Sequence, residues 1–206
     1  MSEFVESIEH MLSKQEERIT YPLRDVRVFT KTYSGYGTEL IEDNLFHGVL
    51  PDRVIFGIVD NDAFNGSKTK NPFNFKHKSI SEVALIVNGM PYPNNPITMD
   101  FNNDNYHNIY HLMLESLQCA APANGNALCV SKKDFKNGFA LFSFDMSADQ
   151  YGGMNHMSLY NTPANVQLRL KFAASNAADI ITLIVYYEIA SRMVVDASRR
   201  VQVFNK

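Results

Sequence analysis

The 206-residue chain is long enough for one well-buried core, or for two small domains at most. A content of 45% hydrophobic and 20% charged residues is ordinary for a globular protein and excludes a disordered or fibrous chain. The net charge is −3 and the basic residues are spread along the chain, so we expect no direct binding of nucleic acid. Cys119 and Cys129 fit no metal or redox spacing and are too few for a disulfide framework, which favours a reducing compartment.

The chain begins with an amphipathic pattern that predicts a helix over residues 3–17. Its apolar positions are Phe4, Val5, Ile8, Met11 and Leu12. We therefore divide the chain into an N-terminal helical arm, residues 1–20, and a single domain, residues 21–206. The arm either binds a partner or packs on its own domain or a neighbour. Its acidic residues interrupt any apolar run typical of a signal peptide, and no window of the chain is apolar for long enough to predict a membrane span.

After Pro22 the periodicity changes to that of β-strands. Short runs rich in β-branched residues begin at Val26, Arg53 and Glu82, each bounded by Gly, Pro, Asn or Asp. Residues 165–172 alternate apolar and polar side chains, which predicts a strand with one dry face. Residues 179–190 are apolar on both faces, and their Ile and Val content favours a central strand over a buried helix. Residues 139–144 and 200–204 complete the clear strands, and contributions from 34–45 and 192–197 raise the total to roughly eight.

One helical pattern interrupts the strands, at residues 103–118. Its apolar positions recur at helical spacing, and Asn103 or Asp104 is available as the N-cap. Together with the small-residue loop that follows, this helix is an insertion between strands. The chain is therefore predicted to be all-β, an antiparallel β-sandwich with a helical insertion and a short N-terminal helix. The strand pattern alone leaves Greek-key and jelly-roll connectivity open, and Gly35 and Gly37 are assigned to a hairpin turn.

The segment from Asp60 to His77 is the most distinctive polar stretch. Its start resembles a calcium-binding loop, but the positions that should hold an oxygen ligand, a glycine and a glutamate hold Phe64, Asn65 and Asn71. Turns held by Asp and Asn side chains explain the segment better. We predict that it anchors a long loop or contacts another subunit, through Asp60, Asn61, Asp62, Phe64, Asn65, Gly66, Asn71, Pro72, Phe73, Asn74, Phe75 and His77.

No pattern predicts catalysis, a metal or a cofactor. His107 and His111 lie four residues apart on the predicted helix, but the glutamate of a zinc-protease motif and a third ligand are both missing. The sequence also lacks the nucleophile, dinucleotide-binding and phosphate-binding motifs of common enzymes. We therefore expect a protein that is not an enzyme.

Five segments, in order along the chain, carry a resemblance to a known family: residues 50–77, 85–93, 135–149, 166–172 and 184–201. In these segments the chain resembles a family encoded by Polinton (Maverick) elements and related adintovirus-like DNA viruses. The resemblance implies a viral jelly-roll capsid protein, similar to the C-terminal part of a double jelly-roll major capsid protein. A double jelly-roll subunit needs twice this length, at ~200 residues per sandwich. The chain is then a fragment, a separately encoded half, or a single jelly-roll shell protein.

The resemblance also implies partners and a location. We expect a homo-oligomer, a trimer if the double jelly-roll placement holds, that assembles with other capsid proteins in the virion after synthesis inside the host cell. The rival hypothesis is a β-sandwich module that binds carbohydrate or peptide. In that case exposed tyrosines would provide stacking platforms, at Tyr33, Tyr36, Tyr92 and Tyr151.

Overall fold

The structure is a computed structural model that describes residues 19–117, 119, 130–147, 162–196 and 198–204. The predicted N-terminal helix lies outside the described residues, as do Cys129, Tyr151 and most of the small-residue loop after the inserted helix. In chain order the strands are β1 (Ile19–Tyr36), β2 (Glu39–Glu42), β3 (Arg53–Asp60), β4 (Ile80–Val87), β5 (Met90–Thr98), β6 (Leu141–Asp145), β7 (Val166–Phe172), β8 (Asn176–Val195) and β9 (Val201–Phe204).

The strands form two antiparallel sheets. The first sheet has the order β1-β8-β3-β6, with β9 also paired to β8, and the second has the order β2-β7-β4-β5. Without β9, the two sheets have four strands each, and strands that alternate along the chain in this way form the eight-stranded jelly roll. The predicted antiparallel β-sandwich is therefore confirmed, and the sheet order resolves its connectivity as jelly roll.

The core lies between the two sheets because each strand turns one face inward. In β7 the alternation is regular, with Val166, Leu168, Leu170 and Phe172 buried and the polar residues between them half-buried. On the neighbouring strands β3 and β6 of the first sheet, the ring of Phe56 stacks with those of Phe142 and Phe144, at centroid distances of 5.0 and 6.2 Å. These three side chains are at most 1% exposed. Apolar burial of this kind is the main stabilising contribution to the fold.

The sequence pattern did not predict strand β5, because this strand contains three prolines. Strand β5 includes Pro91, Pro93 and Pro96, which cannot donate a backbone hydrogen bond. Among the strands of the described residues it pairs with β4 alone, so it forms an edge of the second sheet. Proline is tolerated at such an edge and hinders pairing with a further strand.

Three short helices lie in the described residues: α1 (Asn61–Phe64), α2 (His107–Ser116) and α3 (Lys132–Lys136). Helix α2 confirms the inserted helix, but Asn103 and Asp104 are not its N-cap, which is Tyr106. The side chain of Asp100 instead accepts hydrogen bonds from the amides of Asn102 and Asn103, and so forms a separate turn. Helix α3 was not predicted, although Ser131 and Asp134 form the capping box that its sequence encodes. None of these helices is long and apolar enough to cross a membrane.

The predicted hairpin at Gly35 and Gly37 is wrong. Strands β1 and β2 on either side of it belong to different sheets, so the turn carries the chain from one layer to the other. Gly35 has φ +74° at a register shift between β1 and β8. A Cβ atom there would lie 2.8 Å from the carbonyl oxygen of Ala177, which leaves glycine as the residue that fits.

The first sheet continues beyond Arg53, the first residue of β3. Pairing between β3 and β8 stops at Arg53 opposite Glu188, whereas β8 continues to Val195. Over this last part β8 pairs with β1 on one side and with β9 on the other. We call this three-stranded part the terminal extension, and it comprises residues 19–25, 189–195 and 201–204. Strand β1 begins at Ile19, two residues before the predicted domain boundary.

Candidate functional site

The loop between β3 and β4 is fastened to the sandwich at its first residue. Asp60 ends β3, and its side chain is only 12% exposed. The ammonium groups of Lys76 and Lys78 lie 2.5 and 2.7 Å from its two carboxylate oxygens. The beginning and the end of the loop are therefore joined through one carboxylate.

This contact is part of a larger cluster of charges, which we call the clasp. Lys78 Nζ also donates to Asp179 at 2.7 Å, so it links the loop to β8, an inner strand of the first sheet. Lys70 lies 3.1 Å from Asp62 and 3.6 Å from Asp60. Three cations and three carboxylates thus balance around a cavity of about 300 Å³, and the clasp comprises Asp60, Asp62, Lys70, Lys76, Lys78 and Asp179.

The clasp is electrostatically suited to holding structure. Burial raises the pKa of Asp60, but the hydrogen bonds from Lys76 and Lys78 outweigh it and lower the pKa to about 2. Burial lowers the pKa of Lys78, and its bonds to Asp179 and Asp60 outweigh that effect, so its pKa is raised. Both groups are charged at neutral pH. Because both oxygens of Asp60 accept bonds from ammonium groups, this carboxylate fastens the loop and is not set up to bind a cation.

Further residues predicted from the sequence hold the loop through hydrogen bonds between uncharged groups. The Oδ1 atom of Asn61 accepts from Thr182 Oγ1 at 3.1 Å, which ties α1 to β8. Asn71 Oδ1 accepts from the amide of Phe73 at 2.9 Å, and Gly66 has φ +95°. The bond at Asn71 is an Asx turn of the kind that the sequence predicted for this segment, and the φ of Gly66 is one that favours glycine.

The end of the loop packs against the first sheet through Phe75. The amide of Phe75 donates to the carbonyl of Gly138 at 2.8 Å, and its own carbonyl accepts from Ala140 at 3.1 Å. Its ring lies over Gly57, where a Cβ atom would be 2.5 Å from the ring. A glycine in the middle of β3 therefore leaves room for the loop.

His77 has a packed environment. Its ring stacks on Phe101 with centroids 4.1 Å apart, and its Nδ1 atom accepts from the amide of Ser79 at 2.9 Å. Burial lowers the pKa of His77, and the positive charge of Lys136 lowers it further. The imidazole is therefore held in its neutral form and supports the turn into β4.

Other side chains of the loop point outward. Phe73 is 72% exposed and Phe64 is 44% exposed. Asn65, Pro72 and Asn74 are also exposed. The predicted residues thus divide into an inner set that fixes the loop and an outer set that an approaching molecule would meet. The outer set combines two aromatic rings with short polar side chains.

The partners of the clasp were not predicted as site residues. The sequence pattern indicated Asp60 and Asp62 as site residues, but not Lys70, Lys76, Lys78 or Asp179. Lysines close behind two aspartates are a weak local signal of pairing. Asp179 is more than a hundred residues away along the chain, and only the pairing of β3 with β8 brings it to Asp60. No local pattern could have identified it.

The two histidines of α2 do not form a common site. Lys132 Nζ donates to Nε2 of His107 at 2.6 Å, whereas Nδ1 of His111 lies 3.3 Å from Glu115. Within the part of the chain that the structure describes, no three His, Cys, Asp or Glu side chains converge in a way that could hold a metal ion.

The expectation of exposed tyrosine platforms is wrong for the three tyrosines that the structure describes. Tyr33, Tyr36 and Tyr92 are half-buried and pack against the core. Their hydroxyl groups donate to Glu42, Asp179 and the carbonyl of Asp145 respectively. The ring of Tyr36 lies 4.5 Å from that of Phe172. These rings are therefore committed to internal packing.

Comparison with known proteins gives one sequence relative. No family model matches the chain. The uncharacterized protein F54H12.2 of Caenorhabditis elegans is 26% identical over 177 residues, which are 84% of this chain and 41% of that protein. The chain therefore spans about two fifths of the length of this relative.

Solved structures share the fold. A chain in the cryo-EM structure of the Sputnik virophage superposes with a TM-score of 0.51 at 10% identity, over 91% of this chain and 39% of that one. The protein VP54 of PBCV-1, fitted into a reconstruction of the same virophage, gives 0.50 at 8% identity over 93% of this chain and 52% of VP54. The mavirus major capsid protein gives 0.42 at 13% identity, over 91% of this chain and 41% of its own. The similarity to the first two establishes a common jelly-roll fold.

Proposed function

We propose that the chain is a structural shell protein, a capsid or capsid-like protein that associates with copies of itself and carries no reaction centre. One observation carries this proposal. The sheet order β1-β8-β3-β6 over β2-β7-β4-β5 is a jelly roll, and 91% of the chain superposes on a chain of a virophage particle. Fold alone does not define function, and the side chains therefore have to agree with the proposal.

The described side chains are consistent with a structural role. The most prominent polar cluster, the clasp, consists of balanced ion pairs that fasten a loop. A loop held in this way presents Phe64 and Phe73 in a fixed position. Exposed aromatic rings on a fixed support lose little conformational entropy on binding and are typical anchors of protein interfaces.

The finer part of the proposal concerns the origin and the assembly. We infer that the chain is encoded by a Polinton (Maverick) or adintovirus-like element and forms one jelly roll of a double jelly-roll capsid protein, or a single jelly-roll relative. The coverage of 39% and 52% of the two solved chains supports a unit of one sandwich. In this proposal it forms homo-oligomers, trimers in the double jelly-roll case, and joins other capsid proteins in the virion without binding nucleic acid directly.

Assembly in solution tests the proposal. We expect the purified chain, alone or co-expressed with other shell proteins of its element, to sediment as oligomers and to form capsomers or shells visible by electron microscopy. Monomers at high concentration under every one of these conditions would contradict it.

The loop supplies a matched pair of variants for the same measurement. Phe73→Ser and Phe64→Ser should shift the oligomer equilibrium toward monomer, because both rings face outward on the clasped loop. Ile41→Ser is the control, since Ile41 is 48% exposed but lies on β2 in the second sheet. Equal effects of the three substitutions would show that the loop is not the contact surface.

A further inference from the structure

The terminal extension has one apolar face. Residues directly opposite each other in an antiparallel pair point to the same side of the sheet. Ile19 lies opposite Val195 and Tyr21 opposite Met193. On the other side of β8, Val195 also lies opposite Val201, and Met193 opposite Val203. Seven apolar or aromatic side chains therefore share one face: Ile19, Tyr21, Leu23, Met193, Val195, Val201 and Val203.

This face continues the core side of β8, on which Ile189 and Ser191 also lie, but it extends beyond the core cluster. None of its seven residues belongs to the core cluster or packs against that cluster as a partly buried residue. Val201 and Val203 are 58% and 56% exposed, and the other five are half-buried. A continuous apolar face of this kind on a β-ribbon is typical of a surface that another segment covers.

We propose that the N-terminal segment of the same chain, residues 1–18, covers this face with its apolar positions. The segment is joined directly to Ile19, the first residue of β1, and Ile19 is itself part of the face. Its sequence places Phe4, Val5, Ile8, Met11 and Leu12 on one side of a helical pattern, which supplies an apolar stripe with nothing else assigned to cover it. The proposal is independent of the shell function.

Length and charge support this occupant. A helix over residues 3–17 is about 22 Å long at 1.5 Å per residue, and residues 189–195 of β8 span about 23 Å at 3.3 Å per residue. The segment carries five glutamates and two basic residues, and so has a net negative charge. The turn that joins β8 to β9 borders the face at Val195 and Val201, and it carries Arg199 and Arg200 against Asp196. Its net positive charge favours association with the segment.

Attachment within one chain favours the chain's own segment over that of a second copy. Only Arg18 separates the helical pattern from Ile19, so the effective concentration of the segment at the face is high. A segment from another copy must overcome this advantage.

A single introduced tryptophan tests the inference, because the chain has no tryptophan of its own. In Val203→Trp we expect the emission of a buried indole, and in Ile41→Trp, on the opposite sheet, the emission of an exposed one. Adding Ile8→Asp and Met11→Asp should shift the Val203→Trp emission to longer wavelength and leave the Ile41→Trp emission unchanged. Glu6→Gln, on the polar side of the helical pattern, is the matched control and should shift neither. An exposed indole in Val203→Trp with an intact segment would overturn the proposal.

Two further measurements keep the test decisive. The chain with both Ile8→Asp and Met11→Asp, the double aspartate variant, is used only if it keeps the circular dichroism of a β-protein. If that spectrum is lost, acrylamide quenching of Val203→Trp in the otherwise unchanged chain takes the place of this variant. Weaker quenching than in Ile41→Trp then supports the proposal, and equal quenching overturns it. To separate one chain from two, the double aspartate variant carrying Val203→Trp is mixed with an excess of the unsubstituted, tryptophan-free chain. Recovery of the buried emission would show that a second copy supplies the segment and would overturn the intrachain proposal.

Discussion

The interior of the sandwich and the clasped loop are held by different physical forces. The interior contains stacked phenyl rings that are almost completely buried, such as Phe56, Phe142 and Phe144. The loop is fastened by lysines and aspartates, and the side chains of Lys70 and Lys76 remain 44% and 41% exposed. Apolar burial is insensitive to charge screening, whereas partly exposed ion pairs weaken as salt increases. The two regions should therefore respond differently to the same perturbation.

This difference also separates two tasks. The core specifies that two sheets pack together, and the clasp specifies how one long loop lies on the first sheet. Exposed ion pairs each contribute little, but a shared network around one buried carboxylate contributes more than its isolated pairs. The consequence is that loop geometry can be disturbed while the sandwich remains folded. The predictions below test that separation.

The largest effect is expected in the interior. Phe56→Ala should lower the free energy of unfolding by about 3–5 kcal/mol, because it removes a fully buried ring and leaves a cavity between the sheets. Urea unfolding at low and high salt measures the loss, which should be the same at both. Phe73→Ala, at a ring that is 72% exposed, is the control and should change stability by less than ~0.5 kcal/mol. A salt-dependent loss for Phe56→Ala would contradict the contrast between the two regions.

The clasp should give an intermediate effect. Asp60→Asn leaves Lys78, whose side chain is 12% exposed, with Asp179 as its remaining carboxylate partner, and should cost about 2 kcal/mol. Compared with the unsubstituted protein, Asp60→Asn should speed hydrogen exchange in residues 61–79 and leave the exchange of β7 unchanged. Asp62→Asn is the matched control, because that carboxylate is 68% exposed and Lys70 is its ion-pair partner among the described residues, so a cost of less than ~0.5 kcal/mol is expected.

The pKa of Asp60 adds a pH dependence to the same test. Its pKa is lowered to about 2 in the folded state from 3.8, so the folded state favours the charged form. The stability it contributes is complete above pH 3.8 and is lost as the pH falls toward 2. In Asp60→Asn this part of the acid destabilisation should be missing from urea midpoints measured across that range. An unchanged acid profile would show that the clasp does not stabilise the fold through this carboxylate.

A smaller effect is expected where the loop and the sheet touch. Gly57→Ala places a methyl group 2.5 Å from the Phe75 ring and should cost about 1–2 kcal/mol, because the ring and the loop around it must move. Gly37→Ala is the control, since the atom nearest to its new methyl group is 4.0 Å away. Thermal unfolding distinguishes the two. Equal stability of both variants would mean that Phe75 is not fixed over β3.

The smallest effect is expected from His77. Burial and Lys136 lower its pKa below 6.5, so the folded state disfavours protonation. The stability that this group contributes is complete above pH 6.5 and is lost as the pH falls below that value. The change in unfolding free energy between about pH 7 and pH 5 should be smaller in His77→Gln by less than ~1 kcal/mol. An equal change in His77→Gln and in the unsubstituted protein would contradict this role of the buried imidazole.

The sequence predicted those features of the fold that depend on local alternation. Strand β7 was predicted over residues 165–172 and is found at Val166–Phe172, because half of its side chains face the core. The apolar run at 179–190 was correctly assigned to a strand, which extends to Val195. Strand β5 was missed because proline argues against a central strand, and the local pattern does not show that this strand lies at an edge.

The candidate site was predictable only in part, for the same reason. Turns held by Asp and Asn side chains, such as that at Asn71, depend on neighbouring residues and were predicted for the segment. The ion pair between Lys78 and Asp179 depends on the pairing of β3 with β8 and was not. Contacts between neighbouring residues can be predicted from their order in the sequence. Contacts across the sheet can be predicted only when the order of its strands is known.

The pairing of β8 also decides where the two ends of the described chain lie. Ile19 is opposite Val195 and Phe204 is opposite Arg192, so both ends are at one end of this long strand. The clasp contacts the same strand at Asp179, near its other end. A fluorescent protein or affinity tag joined directly at Ile19 or Phe204 would therefore emerge far from the loop that carries Phe73. With either fusion the loop should remain accessible. The chain can therefore display a fused cargo at one end of β8 while it is immobilised through the loop at the other end.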